Sequence, residues 1–388
     1  MKIAIIGAGI AGTAAAFEVA RQGARAALFH DLTGSSGLYS GAVDFEPWDV
    51  ADYERAVGGE LLEFTTALGA WELGGQAWRV ATLEGNVRPA RGGDRAILDL
   101  AQCAGKRVAV VDVERDDWDA PLLAKSYAGS AWARQTRTEF FATPVAVLQK
   151  GFERRISGYD FAALHDAPER AAALESALRD CKVSADAWLF GPWLGIERAL
   201  GKQLSDALGV PVGETTSMPG GAAGARFERA RDRLLAQSAD VTRARLMSME
   251  KSARGYRLQL RDRAPEEFAA VVIASGGVAA GGVALERSFE RRGGTGFRLS
   301  FSAPIALELD SEVVESVSSL ANIDFVDRGL GALLDVGVGT EENGALHANP
   351  GLFAAGDVIA GRPRTALIAV DLGIRAARAA LDYARRTS

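Results

Sequence analysis

Near the N-terminus six residues, Gly7-Ala8-Gly9-Ile10-Ala11-Gly12, form a complete GxGxxG. At this spacing each glycine has its own task in gripping a dinucleotide. Gly7 permits a tight strand-to-helix turn, Gly9 lets backbone approach a pyrophosphate, and Gly12 lets the helix lie close on the strand. Ile10 and Ala11 open that helix, whose free N–H groups and dipole would face the phosphates. A carboxylate that would hold a ribose is expected near the end of the second strand. His30 stands there, with Asp31 one residue later.

Three further stretches place bare backbone or a lone acid where a ligand could sit. Small and hydroxylated residues fill the loop after Asp31, with Ser36, Gly37, Ser40, Gly41 and Ala42 as candidate contacts ahead of Asp44. An apolar run, Val271 to Ala274, opens directly into Ser275, Gly276 and Gly277. Near the C-terminus, Leu352 to Ala355 ends in Gly356 and Asp357, an acid able to accept a hydrogen bond from a ribityl hydroxyl. The helix that follows begins around Ala366, and its N-terminus suits the electron-rich side of a reduced flavin ring. Catalytic groups are harder to find, because no nucleophile, base and orienter stand in recognisable spacing. The catalytic residue stays unassigned, with His347 as the nearest base and Arg362 and Arg364 as a clamp for a substrate anion. His165, among helix-forming residues, reads as structural or solvated.

The elements that must position these residues follow from periodicity. Lys2–Ile6 is too short an apolar run for a helix and reads as a strand; a helix from Ile10 to a C-cap at Gly23 and a second strand, Ala26–Phe29, follow. Trp48, Tyr53, Leu61, Phe64, Leu68 and Trp71 recur at helical intervals and predict helices over 48–73. Alternating strands and helices between Arg107 and Phe190 predict a parallel sheet of their own. The helix from Ala225 to Leu235 reads as amphipathic with a basic face, solvated or subunit-contacting, that includes Arg226. Three antiparallel strands are expected at 241–250, 256–261 and 268–274.

With 388 residues and 48% hydrophobic content the chain can bury a large core and predicts two domains. A formal net charge of -6 and a pI near 5.4 provide no global positive field to recruit nucleic acid. No apolar stretch is long enough to span a bilayer, and a cytoplasmic location is expected. Cys103 and Cys181 lie far apart, read as small core residues, and offer no metal-ligand spacing, so no metal site is expected.

Taken together, Gly7–Gly12, Ser36–Asp44, Ile273–Gly277 and Gly351–Asp357 have the layout of glutathione-reductase-type flavoproteins. More narrowly, the chain resembles the B-type flavin subunit of the anaerobic glycerol-3-phosphate dehydrogenase, through Ser36–Asp44, Val272–Gly277 with Gly281 and Gly282, and Leu352–Val358. One stretch departs from that family, whose glycine-rich run ahead of the last helix is replaced by Arg362–Val370. The resemblance implies an α/β fold: a discontinuous Rossmann-type FAD-binding domain, residues 1–75 and 195–388 with a β-meander near 241–274, and an inserted α/β domain over 76–194. It implies FAD as cofactor, with FMN as the alternative that the missing ribose acid leaves open. It further implies a flavin-dependent dehydrogenase subunit passing electrons to a quinone and acting on a small anionic substrate. Its partners would be a second flavoprotein subunit and an iron–sulfur subunit that anchors the assembly at the inner face of the cell membrane. A self-sufficient oxidase of amino acids, amines or hydroxy acids, and a non-catalytic scaffold subunit, are the competing readings.

Overall fold

The computed structural model describes residues 2–31, 34–43, 59–289, 295–301, 307–309, 312–313, 336–346 and 349–387. The chain divides into two units, one of Met1–Ser36, Ala51–Ala67 and Arg231–Ser388, the other of Gly37–Val50 and Leu68–Ala230. The second unit therefore takes residues 37–50, 68–75 and 195–230, which the sequence alone assigned to the flavin domain. Strand pairing is the reason. Val212–Glu214 hydrogen-bonds in parallel to Ala187–Phe190, and Trp71–Ala81 pairs with Val87–Asp94.

The first unit is built on five parallel strands. β1 (Ile3–Ile6), helix α1 (Ile10–Arg21) and β2 (Ala26–His30) open it, followed much later by β3 (Ala239–Arg243), β4 (Ala270–Ile273), β5 (Leu352–Ala354) and helix α2 (Ala366–Thr387). Their order is β3-β2-β1-β4-β5, the doubly wound arrangement in which ligands bind outside the carboxyl ends of the strands. β1 and β4 are fully buried apolar runs, as central parallel strands must be when both faces are covered. Helix α2 lies on α1 so closely that a Cβ on Gly373 would run into the Ala11 carbonyl and meet the Ala14 Cβ at 3.0 Å.

Two sequence expectations change here. The run Val241–Glu250 is broken: Ala239–Arg243 joins the parallel sheet beside β2, and only Leu246–Ser252 forms the antiparallel ribbon with Gly255–Leu260. Phe268–Ala274 is likewise two strands, Glu266–Phe268 closing the ribbon and β4 at the centre of the parallel sheet. Of the helical stripe expected over 48–73, Trp48 and Tyr53 lie outside the described residues. Glu60–Leu68 is a helix whose Phe64 packs edge-on against Phe17, whereas Trp71 begins a strand.

The second unit carries a four-stranded parallel sheet, in spatial order Glu139–Pro144, Arg107–Asp112, Ala187–Phe190 and Val212–Glu214; the alternating pattern predicted the first three, and Val212–Glu214 adds a fourth. Val108 to Val111, Tyr127, Phe161, Leu189 and Leu194 fill its core. Arg226, expected on a solvated or subunit-contacting face, is instead buried within the unit. It donates to Asp94 at 2.8 Å, to Glu214 at 2.6 Å and to the Gly195 carbonyl at 2.6 Å. Four separate segments of the unit are tied by that one guanidinium. Cys103 is buried and Cys181 half-buried, neither in a disulfide; burial pushes the Cys103 thiol up to about 12, so it is inert. No helix among the described residues is long and apolar enough to cross a membrane.

Candidate dinucleotide site

At the carboxyl ends of β1, β2, β3 and β4 the first unit holds a cavity of about 610 Å³. Its floor is the glycine turn. The three glycines have separable causes. Gly7 sits at φ +112°, where side chains are strained, and a Cβ there would collide with the Ala274 carbonyl. A Cβ on Gly12 would strike the Gly7 carbonyl, so Gly12 serves the packing of helix on turn. Gly9 differs, for a Cβ there would meet only the Ser36 hydroxyl, at 3.2 Å. It is the glycine whose bareness faces the cavity rather than protein.

Gly9 is the N-cap of α1 and gives the helix no side-chain cap. The first N–H groups of a helix have no partner within it. Ser36 supplies one, its Oγ accepting from the Ile10 N–H at 3.0 Å. Ser36 and Ser35 line the cavity together with Gly34, which brings the loop after β2 against the helix start. Ser35 in turn donates to Asp357 Oδ2 at 3.4 Å, linking the cavity wall to the strand-end acid more than three hundred residues on. Burial raises the Asp357 carboxyl above its ordinary value, against the lowering pull of Arg364 and the Ser35 hydroxyl.

Across the cavity, Ser275 and Gly276 follow β4, and the Ser275 Oγ is buried with no hydrogen-bond partner among the described residues. A buried hydroxyl left unsatisfied costs roughly 1–3 kcal/mol, so its place in a cavity wall is that of a group waiting for a ligand atom. His30 and Asp31 line the β2 end. Burial, then the positive field of Arg231, pushes the His30 imidazole below its ordinary value, so it is neutral near pH 7 and able both to donate and to accept.

Not every expected contact converges here. Gly7, Gly9, His30, Asp31, Ser36, Ser275 and Gly276 line the cavity, and Ile10 reaches it through Ser36. Gly37, Ser40, Gly41 and Ala42 belong to the second unit and are used inside it. The Ser40 carbonyl accepts from Ser217 N–H, Gly41 at φ +103° faces Ile97 and Ala223, and Ala42 pairs with Gly93. The Gly37 carbonyl lies against Gly224. Ala11 and Gly356 pack on each other, since a Cβ on Gly356 would come within 2.7 Å of the Ala11 Cβ. Gly277 turns toward Arg364 and the Asp357 carbonyl rather than the cavity. Ala366 is the first residue of α2, preceded by Thr365, whose hydroxyl accepts from Ile368 N–H at 3.4 Å. His347 lies outside the described residues. Arg362 is exposed; Arg364 is half-buried and donates to the Val336 carbonyl at 3.2 Å. His165 is buried, which decides for a structural over a solvated residue, with Nδ1 3.0 Å from the Phe161 carbonyl.

Sequence reading missed one wall. Ala244, Arg245, Leu246 and Met247, with Arg261, close the cavity beside the β2 end. No glycine or proline marks the break at Ala244, so the alternation ran on unbroken through it. The only signal was the cluster Arg243, Ala244, Arg245, whose charges suit an anionic guest.

These residues fit FAD. Glycine turn, helix start and Ser36 offer a pyrophosphate what it needs, and the cavity continues past them to the ends of β2 and β3. That extension gives room to an adenosine half, which FMN does not have. Among the described residues no cluster of His, Cys, Asp or Glu could hold a metal ion.

The family model of glucose inhibited division protein A matches residues 2–42, the stretch that holds β1, α1 and β2. No curated protein matches the chain. Among solved structures, the chain is similar to the GidA-related protein from Thermus thermophilus, at 12% identity over 98% of this chain and 97% of that one, with a TM-score of 0.36. It is also similar to glycine oxidase from Geobacillus kaustophilus, at 14% identity over 99% and 94%, TM-score 0.35. Iminodiacetate oxidase from Chelativorans sp. BNC1 is 14% identical over 96% and 92%, TM-score 0.32.

Proposed function

We propose that this chain is an FAD-dependent oxidoreductase. The observation that carries the reading is the convergence of Gly9, the α1 N-terminus, Ser36 and the unsatisfied Ser275 hydroxyl on one cavity at the carboxyl ends of a doubly wound sheet. FAD bound there supplies two-electron redox chemistry. The chain's own part is to hold the pyrophosphate on the α1 N–H groups, to order the loop at 34–36, and to present Asp357 to the ribityl hydroxyls.

More finely, we read the chain as the flavin subunit of a quinone-linked glycerol-3-phosphate dehydrogenase, oxidising sn-glycerol 3-phosphate to dihydroxyacetone phosphate together with a second flavoprotein subunit and an iron–sulfur membrane-anchoring subunit. Its support is the run of motifs at 36–44, 272–277 and 352–358. Anaerobic mixing of the FAD-loaded chain with glycerol 3-phosphate, glycine and small hydroxy acids tests this. Slow bleaching of the flavin by all of them, restored for glycerol 3-phosphate by a copurifying subunit, is expected. Fast bleaching by an amino acid with the chain alone would replace the dehydrogenase reading with that of a self-sufficient oxidase.

A further inference from the structure

The wall that closes the cavity beside the β2 end carries two backbone irregularities, and both adjoin residues that line it. In the ribbon, Leu246 pairs with Leu260 and Ser248 with Gln259, so Met247 is an extra residue on its strand, a β-bulge. On a regular strand Met247 would share a face with Met249, which is buried. The bulge re-aims it, and Met247 instead lines the cavity with 52% of its surface exposed. The second irregularity follows Arg261, where Asp262 takes the left-handed conformation at φ +58°. The Arg261 N–H donates to the Arg245 carbonyl at 2.9 Å and the Ala244 N–H to the His30 carbonyl at 2.8 Å, so both arginines stand on backbone tied to the end of β2. Both are exposed, and among the described residues neither has an ion-pair partner.

We propose that Met247, set by its bulge, forms with Arg245 and Arg261 the platform on which the adenine of the cofactor stacks, and that this platform sets the preference of the site for a dinucleotide over FMN. The assignment takes its ligand from the FAD reading above. With the pyrophosphate at the glycine turn, the part of the ligand that reaches the ends of β2 and β3 is the adenosine half. Its base is flat and rich in π electrons. A polarizable thioether packs well on such a ring, and a planar guanidinium stacks on it as a flexible ammonium does not. A phosphate in the same place would call for charge alone, and Met247 has none to give.

Titration of the full chain with FAD, by quenching of flavin fluorescence, and with ADP, by loss of absorbance in the adenine ultraviolet band, tests the platform in M247S, M247L, R245Q, R261Q and R261K, each checked for fold by far-UV circular dichroism. Stacking dims the adenine band, so the change at saturating ADP reports contact with the base and not affinity alone. M247S, R245Q and R261Q bind FAD about tenfold more weakly than wild type, the scale of a lost sulfur–aromatic or stacked cationic contact, and lose most of the dimming. M247L keeps both, and R261K behaves as R261Q does. Unchanged dimming in folded M247S and R261Q, whatever their affinity, overturns the platform and leaves FAD in the cavity. Wild-type behaviour of R261K beside a weak R261Q makes the contact one of charge, and overturns stacking as well. Uptake of ADP with the expected effects but no uptake of FAD overturns the flavin reading alone, whereas a wild-type chain that takes up neither ligand overturns both.

Discussion

The backbone N–H of Ile10, first residue of α1, donates to the hydroxyl of Ser36 over 3.0 Å. That bond fixes the loop after β2 against the phosphate-facing helix end, joining two stretches that sequence could name but not connect. Ser36→Ala removes it. By the scale of helix N-cap losses the chain should lose about 0.5–2 kcal/mol of stability, read from urea unfolding without flavin, and bind FAD more weakly as the loop loosens. A variant with unchanged unfolding and unchanged affinity would show that the bond positions nothing.

Two glycines of the turn should separate folding from binding. Gly7→Val places a side chain at φ +112° and against the Ala274 carbonyl, and should yield unfolded or insoluble protein. Gly9→Val meets only the movable Ser36 hydroxyl, and should fold yet bind no FAD. Far-UV circular dichroism and flavin titration on both variants check the contrast. A folded Gly9→Val that takes up FAD normally would move the pyrophosphate elsewhere.

Much of this site was legible because backbone geometry leaves marks in composition. Gly7, Gly9 and Gly12 can be read from spacing, and β1 and β4 from unbroken apolar runs. What stayed hidden depends on contacts distant in sequence. Glycine is needed at Gly41 and Gly277 as firmly as at Gly9, yet Gly41 faces Ile97 and Ala223, and Gly277 faces Arg364. Sequence shows that a side chain is absent, not what stands in its place. The wall at Ala244–Met247 escaped because β3 passes into the ribbon without a turn residue. Arg226 escaped because a charged residue on an amphipathic helix normally faces water, and only the chain's return at Asp94 and Glu214 makes its burial tolerable.

Arg226 gives a stability prediction for the second unit. Burial raises both Asp94 and Glu214, with the Arg226 charge opposing in each. Arg226→Met leaves two buried carboxylates without their cation and should cost about 3–5 kcal/mol in urea unfolding, the range for breaking a buried ion pair from one side. A loss under ~1 kcal/mol would mean that the carboxylates simply take up protons and repack.

His165 sets a pH dependence. Burial, then the Arg170 charge, pushes its imidazole down from 6.5 to about 4. A depressed histidine is neutral in the fold while the unfolded chain takes up a proton below its ordinary value. Its contribution is therefore present above pH 6.5 and is lost as pH falls toward 4, on the order of 3 kcal/mol across that window. Unfolding midpoints of wild type and His165→Gln between pH 4 and 7 should converge as pH falls. Parallel profiles would show that His165 does not titrate with folding.

The cavity at the strand ends is proposed as an FAD site. Native purification followed by an absorbance spectrum, heat release of the chromophore and its mass determination tests it most directly. Non-covalent FAD is expected, or its uptake by protein purified without it, with bands near those of a bound oxidised flavin. Protein that stays colourless after incubation with FAD, or that releases FMN or a nicotinamide dinucleotide instead, would contradict it.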